Sequence, residues 1–335
     1  MCPAEPEHQP EPEHQPRANA QLQLTLRAPV RRYFFRTDGA PTGLAAGLAP
    51  TWLPVARGID VGRLVGDDLV ELPDSRRLAA AELRPAPAVS APGKIICIGW
   101  NYRDHVAEQG RPLPDRPVLF AKFANTIVAD GEAVVRPPGT HALDLEAELG
   151  VVIGRRAKAV PAAAAMAYVG GYVVCNDISA RDWQGNPAAL RPGEHGDGQW
   201  LRAKGSDTFL PVGPVLVEAA EVSDPHDLAV RSWWIPGSGP DAGRAIPMQD
   251  GSTADMIFPI PELIAFISAV ITLEPGDLIV TGTPAGVGVF RNPPVFLEPG
   301  DRVRVSVEGV GSVENPILDA GDGRTTTGGE GATPG

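Results

Sequence analysis

The sequence predicts a β-rich α+β protein, on three observations. Short apolar runs of strand length outnumber helical patterns, no regular strand-helix alternation connects them, and Gly, Pro and Asp turn signals punctuate the chain. Without that alternation a doubly wound parallel sheet is disfavoured, and a mainly antiparallel or mixed arrangement is expected.

Residues 1–28 contain the hexapeptide EPEHQP twice, at 5–10 and 11–16, and almost no large apolar side chains. Such a segment cannot offset its ordering entropy and is expected to be a disordered tail, with His8 and His14 solvated rather than gathered on a metal. From 29 to 85, runs such as RRYFF and DDLVEL between turn signals predict a small β-rich N-terminal domain. The stretch 86–93 is rich in Pro and Ala, which hold it extended as a linker. A larger unit, 94–318, carries the apolar runs KIICIGW, AVV, ELGVVIG, YVVCND, DLIVTG and RVRVSVEG. Two helices are expected within it, 162–169 and 261–271, the second opening on Pro261 and closing before the turn EPGD. The Gly- and Thr-rich end, 319–335, reads as a second flexible tail.

At 335 residues, 43% hydrophobic and 21% charged, the chain can bury a substantial core. Its net charge of −12 argues against nucleic acid and anionic membrane as partners. The apolar window 263–273 has about half of the roughly 20 residues a spanning helix needs, and the start MCPAEPEHQP lacks the basic and apolar stretches of a secretory signal. Cys2, Cys97 and Cys175 show no paired spacing. Cys97 and Cys175 lie in apolar runs and read as buried small hydrophobes, so a reducing, cytoplasmic setting is expected.

Chemistry concentrates in DLEAELGVVIG, 144–154. On a strand over 145–153, Glu146 and Glu148 project from one face. Paired carboxylates leading into an apolar run repel unless a cation or proton lies between them, and hard cations take oxygen ligands. A solvent-facing strand edge reads this segment equally well. Asp177, at the mouth of the apolar run GGYVVCN, is a third acid in need of a partner. Three carboxylates leave positions of a Mg²⁺-type octahedron open for substrate oxygens. Asp182, nearby, reads as a helix or turn cap.

His105 and Glu108, spaced i,i+3, share one face of a helical turn, so the carboxylate can orient the imidazole as a base. A surface ion pair without function is the plainer reading of that spacing alone. Lys204 offers a cation to an enolate or carboxylate oxygen, and Arg181 and Gln184 offer planar donors, against the alternative of salt bridges and solvation. Thr283 in TGTPAGVG can present its hydroxyl and neighbouring amides to a carboxylate. That loop lacks the GK[ST] ending of a nucleotide phosphate cradle.

In order, KIICIGWNYRDHVAE, LDLEAELGVVIG, CNDISARDWQ, KGSDTFLPVGP and GDLIVTGTPAGVG make the stretch from Lys94 to Pro316 resemble the fumarylacetoacetate hydrolase family, with its acylpyruvase and 2-hydroxyhepta-2,4-diene-1,7-dioate isomerase-like members. The preceding β-rich unit is similar to the small N-terminal domain of many members. The resemblance implies layered mixed sheets with a rolled β-sandwich, and Mg²⁺, or Mn²⁺ or Ca²⁺, on Glu146, Glu148 and Asp177. It also implies a lid carrying His105 and Glu108, a homodimer, and a small 2-oxo acid as substrate.

The first functional expectation is hydrolysis of a carbon–carbon bond in an acylpyruvate-like β-diketo acid. His105, held by Glu108, would activate water, while the metal and Lys204 stabilise the departing enolate. Decarboxylation of a 2-oxo diacid and isomerisation of a 2-hydroxydienoate use the same chelate, and a catalytically silent member with a binding role is a further alternative. The chain departs from the familiar pattern twice: 185–198 looks inserted between Gln184 and Lys204, and AKGSDTF stands where GKSFDTF or GKTFDTF is usual.

Overall fold

The computed structural model describes residues 31–36, 53–54, 59–72 and 75–321, so the tail expected over 1–28, and most of that over 319–335, lies outside the described residues. An eleven-stranded sheet runs through the molecule. Its centre is built from Val215–Glu218, Val169–Asn176, Ala147–Ile153, Leu278–Val280, Ile95–Gly99 and Val118–Lys122, side by side in that order. Every pairing among these is antiparallel except that of Leu278–Val280 with Ile95–Gly99. The expectation of a β-rich α+β fold with mixed sheets therefore holds.

The central strands read as continuous apolar runs because both faces of the sheet are covered. Leu149, Val151, Ile153, Tyr172 and Val174 belong to one hydrophobic cluster, while the alternating Val152, Val173 and Cys175 belong to another. This is the period of two of a strand buried on both sides. The first cluster takes in Val230, Val303, Val305, Val313 and Ile317 from a second sheet. That sheet has five strands, ordered Ile246–Ser252, Ala229–Ile235, Arg302–Val307, Gly311–Asp319 and Val134–Arg136, and packs across the first as a sandwich.

The helix Ile260–Val270 closes the same cluster, burying Ile260, Leu263, Ile264, Ile267 and Ser268 at i, i+3, i+4, i+7 and i+8. Each fully buried aliphatic side chain there contributes about 1.5–3 kcal/mol. The other expected helix is shorter than its sequence pattern: Ala162–Ala165 is α-helical, Met166–Tyr168 tightens into a 3₁₀ turn, and Val169 already belongs to a strand. A β-branched residue leading into the glycine pair 170–171 favours the strand at that point.

The N-terminal strands Ile59–Val65, Leu69–Glu71 and Arg77–Ala79 follow Arg31–Arg36, which itself pairs with Val215–Glu218. They thus share one sheet with the larger unit. The segment 86–93 between them is anchored: Ala86, Ala88 and Val89 are buried, and the Ala86 and Ala88 amides bond Phe34 O and Gly213 O.

Candidate active site

The register of two strands decides which acids meet. Ala147 lies opposite Asn176 and Glu148 opposite Cys175. The pairing runs one step further, with Asp177 N donating to Glu146 O at 2.9 Å. Alternate residues face one side of a sheet, so Glu146, Glu148 and Asp177 emerge together. One carboxylate oxygen from each lies within 4.8 Å of the others, and the three residues are only 5%, 1% and 0% exposed.

The unbroken strand expected over 145–153 is divided, because the chain changes partner at Glu146. Leu143–Asp144 pairs with Ser179–Ala180, and Ala147–Ile153 begins one residue after Glu146. In the gap, Glu146 N donates to the Asn176 side chain at 3.0 Å, so the chain stays extended and the two acids keep a common face.

Basic residues back two of the acids. Lys204 Nζ lies 2.5 Å from Glu146 Oε2 and 2.8 Å from Asp177 Oδ2. Lys122 Nζ lies 2.7 Å from Asp177 Oδ1 and reaches the carbonyls of Ile178, Lys204 and Phe209. Arg181 forks between Glu146 Oε1 at 2.7 Å and Asp144 Oδ2 at 2.9 Å. Burial would raise the Glu146 carboxyl, but Lys204 and Arg181 outweigh it and hold the group well below the carboxylate range. Burial likewise opposes the charge on Lys204, yet Asp177 and Glu146 hold its ammonium above the usual lysine value. For Lys122 burial wins and the value falls.

Glu148 differs. It forms no ion pair with a Lys or Arg among the described residues; its Oε2 takes the Gly282 amide at 2.5 Å. Burial, then Asp177 and Glu146, push its carboxyl well above the ordinary value. A buried acid without a side-chain cation, beside two more carboxylates, is a donor set that a hard divalent cation fits.

The glycine-rich loop 282–289 organises the site by binding carboxylates of the protein itself. Gly282 N holds Glu148, Ala285 N holds Asp104 at 3.1 Å, Gly286 N holds Glu108 at 2.9 Å, and Gly288 N and Val289 N both hold Asp144, at 2.7 and 3.0 Å. Such a path needs glycine: Gly282 and Gly286 have φ of 100° and 102°. A Cβ on Gly286 would sit 2.4 Å from Met248 O. Thr283 lies in this loop with its hydroxyl donating to Ala147 O and accepting from Gln249 Nε2, so that hydroxyl is committed within the protein.

Over the acids lies a cavity of about 390 Å³, lined among others by His105, Glu146, Glu148, Arg181, Gln184, Lys204 and Thr283. The short helix Arg103–Glu108 carries the dyad: His105 Nδ1 is 2.6 Å from Glu108 Oε1. His105 Nε2 meets Gln109 Nε2 at 2.9 Å, and Gln109 Oε1 accepts from Trp100 Nε1 at 3.2 Å. Trp100, Trp200 and Phe120 form an aromatic wall of edge-on rings. Arg111 stacks over Trp100 at 4.6 Å and also lines the cavity.

Seven of the nine residues singled out in the sequence line this cavity, while Asp177 lies beneath it beside Glu146 and Glu148 and Glu108 is bonded to His105. Arg181 is engaged on Asp144, Glu146 and the Gln184 side-chain oxygen, so it braces the site. Asp182 stays apart from the acids and anchors Thr140 Oγ1 and His141 N. Lys122, Asp144, Gln109, Arg111 and Trp100 were not foreseen. A lone lysine ending the run VLFAK was the one available signal for Lys122. The 185–198 segment is anchored beside the site: Gly185, Asn186 and Pro187 line the cavity, and Ala189 packs on Val287 and Val289.

Residues 94–318 match the family described as fumarylacetoacetate (FAA) hydrolase, C-terminal. Human oxaloacetate tautomerase FAHD2A, mitochondrial, is 43% identical over 252 residues, 73% of this chain and 75% of that protein. The crystal structure of 2-hydroxyhepta-2,4-diene-1,7-dioate isomerase from Mycobacterium marinum is 31% identical with a TM-score of 0.65, covering 87% of this chain and 99% of that one. Fumarylacetoacetate hydrolase from psychrophilic Exiguobacterium antarcticum is 27% identical with a TM-score of 0.69, covering 87% and 100%.

Proposed function

The chain belongs to the fumarylacetoacetate hydrolase family, and from that premise we propose that it moves a proton on small 2-oxo dicarboxylic acids, interconverting their keto and enol forms or shifting the conjugated double bond. The observation that carries this reading is one cavity holding three buried acids at its floor and a histidine–glutamate dyad at its wall. It is supported by the names of two relatives, an oxaloacetate tautomerase and a dienoate isomerase.

Glu146, Glu148 and Asp177 would hold Mg²⁺, or Mn²⁺ or Ca²⁺ in its stead, which when bound supplies Lewis-acid stabilisation of enolate charge. The remaining work falls to the protein. Glu108 keeps His105 in the tautomer with the proton on Nδ1, because a carboxylate only accepts. The Nε2 lone pair then takes a proton from the carbon beside the oxo group and returns it to the enol or to a further carbon, leaving atoms and charge balanced. Gln184 donates its amide to a substrate oxygen, and Lys204 adds positive charge on the floor. Arg111, a cavity cation with no ion pair among the described residues, faces a second carboxylate.

Hydrolysis of an acylpyruvate is the second reading, since the same dyad can take its proton from water instead of carbon. Incubation with Mg²⁺ and oxaloacetate or an acylpyruvate in deuterated water separates the two. Deuterium entering the carbon beside the oxo group without loss of mass is the expected result. One water consumed per cleaved bond would replace this reading with the hydrolase, CO₂ release would indicate a decarboxylase, and no turnover a binding role.

A further inference from the structure

A chain of hydrogen bonds of fixed direction runs along the cavity wall. Tryptophan can only donate, so Trp100 Nε1–H gives to Gln109 Oε1 and the amide nitrogen of Gln109 must face His105. Glu108 accepts from Gly286 N on Oε2, and its Oε1, as a carboxylate oxygen that only accepts, takes the Nδ1 proton of His105. The single lone pair on His105 Nε2 is thus already filled by the Gln109 amide at 2.9 Å.

We propose that Gln109 is a positioning residue that masks the His105 base until substrate enters. One lone pair cannot accept from Gln109 and from a substrate C–H at once, so Gln109 must release His105 before any proton moves. Trp100 is placed to trigger the release. It holds the outer end of Gln109 and packs edge-on against Trp200 at 5.4 Å. It also keeps a left-handed backbone, φ 54°, that a tryptophan adopts only where its surroundings impose it. A substrate body wedged against this ring breaks the bond to Gln109 and frees the base. The mask rests on the reading of His105 as the base.

The test uses the full chain without added substrate and follows carbethoxylation of His105 by diethylpyrocarbonate, resolved by peptide mass spectrometry, with His141 and His195 as internal references. Gln109→Met removes the donor at nearly constant volume, and His105 should label about fivefold faster, as losing one hydrogen bond of ordinary net strength predicts. Gln109→Glu replaces the donor with an acceptor, draws a proton onto Nε2 and should slow labelling below wild type. Opposite signs in the two variants are the signature, since a merely structural role moves both the same way. Equal His105 labelling in wild type and Gln109→Met overturns the mask, whatever the turnover. Faster labelling in Gln109→Met, with His105→Ala retaining full turnover on 2-oxo acids, upholds the bond from Gln109 to His105 Nε2 but removes the assignment of the base and with it the mask.

Discussion

The floor and the wall of the cavity are held by different means. The floor acids sit at the ends of paired strands, their positions set by a ladder with apolar clusters on both faces, and Lys122, Lys204 and Arg181 back Glu146 and Asp177 in a nearly solvent-free place. The wall is one six-residue helix and its flank, tied down mainly by side-chain bonds to the glycine loop and by edge-on rings. A buried carboxylate cluster tolerates little displacement, because each uncompensated charge costs several kcal/mol. Single hydrogen bonds on a short helix exchange at about 1 kcal/mol each. The floor is therefore suited to fixed binding and the wall to motion during turnover.

Perturbations sort along this division. Chelation should act on the floor alone and have the largest effect: turnover in excess EDTA falls to background and returns on adding Mg²⁺, with the fold unchanged by circular dichroism. Next comes the dyad. His105→Ala should lower kcat by about 10²–10⁴ with a much smaller change in KM, measured by deuterium exchange, whereas a loss confined to KM would place His105 in binding only. Lys122→Met leaves Asp177 short of a buried partner and should destabilise the fold by about 3–5 kcal/mol in urea unfolding; a neutral result would mean the floor is less rigid than described. Gly286→Ala joins the regions, since it forces a Cβ against Met248 O and shifts the amide that holds Glu108. About 1–3 kcal/mol of strain is expected, with dyad function reduced and metal affinity kept. Smallest is Arg111→Gln, which should raise KM about tenfold for a dicarboxylic 2-oxo acid, the loss of one charge-assisted contact, and leave a monocarboxylic analogue unaffected. Equal effects on both would remove Arg111 from substrate recognition.

The same division marks how far the sequence could be read. The floor was legible because a strand has one period. Once 147–153 and 169–176 are strands, the spacing of Glu146 and Glu148 and the place of Asp177 after an apolar run put them on one face. Even the break at Glu146 did not disturb this, since the chain stays extended there. The roles of the basic residues were less legible. Arg181 and Lys204 stand at the site, but which oxygen each holds depends on packing between distant segments. The same is true of Thr283, whose hydroxyl meets Ala147 and Gln249 rather than open cavity. The wall was least legible: Trp100 ends an apolar run, Gln109 and Arg111 are ordinary surface types in sequence, and only the folded chain sets their donors and acceptors in line.

Manganese titration of the protein by calorimetry, repeated with Glu148→Gln and with Asp177→Asn, tests the central claim most directly. One Mn²⁺ bound per chain, with affinity reduced at least about 100-fold in both variants, more than outer-shell changes usually cost, is the result expected of three carboxylates sharing a cation. Binding of equal strength in wild type and variants, or none in wild type, would contradict it.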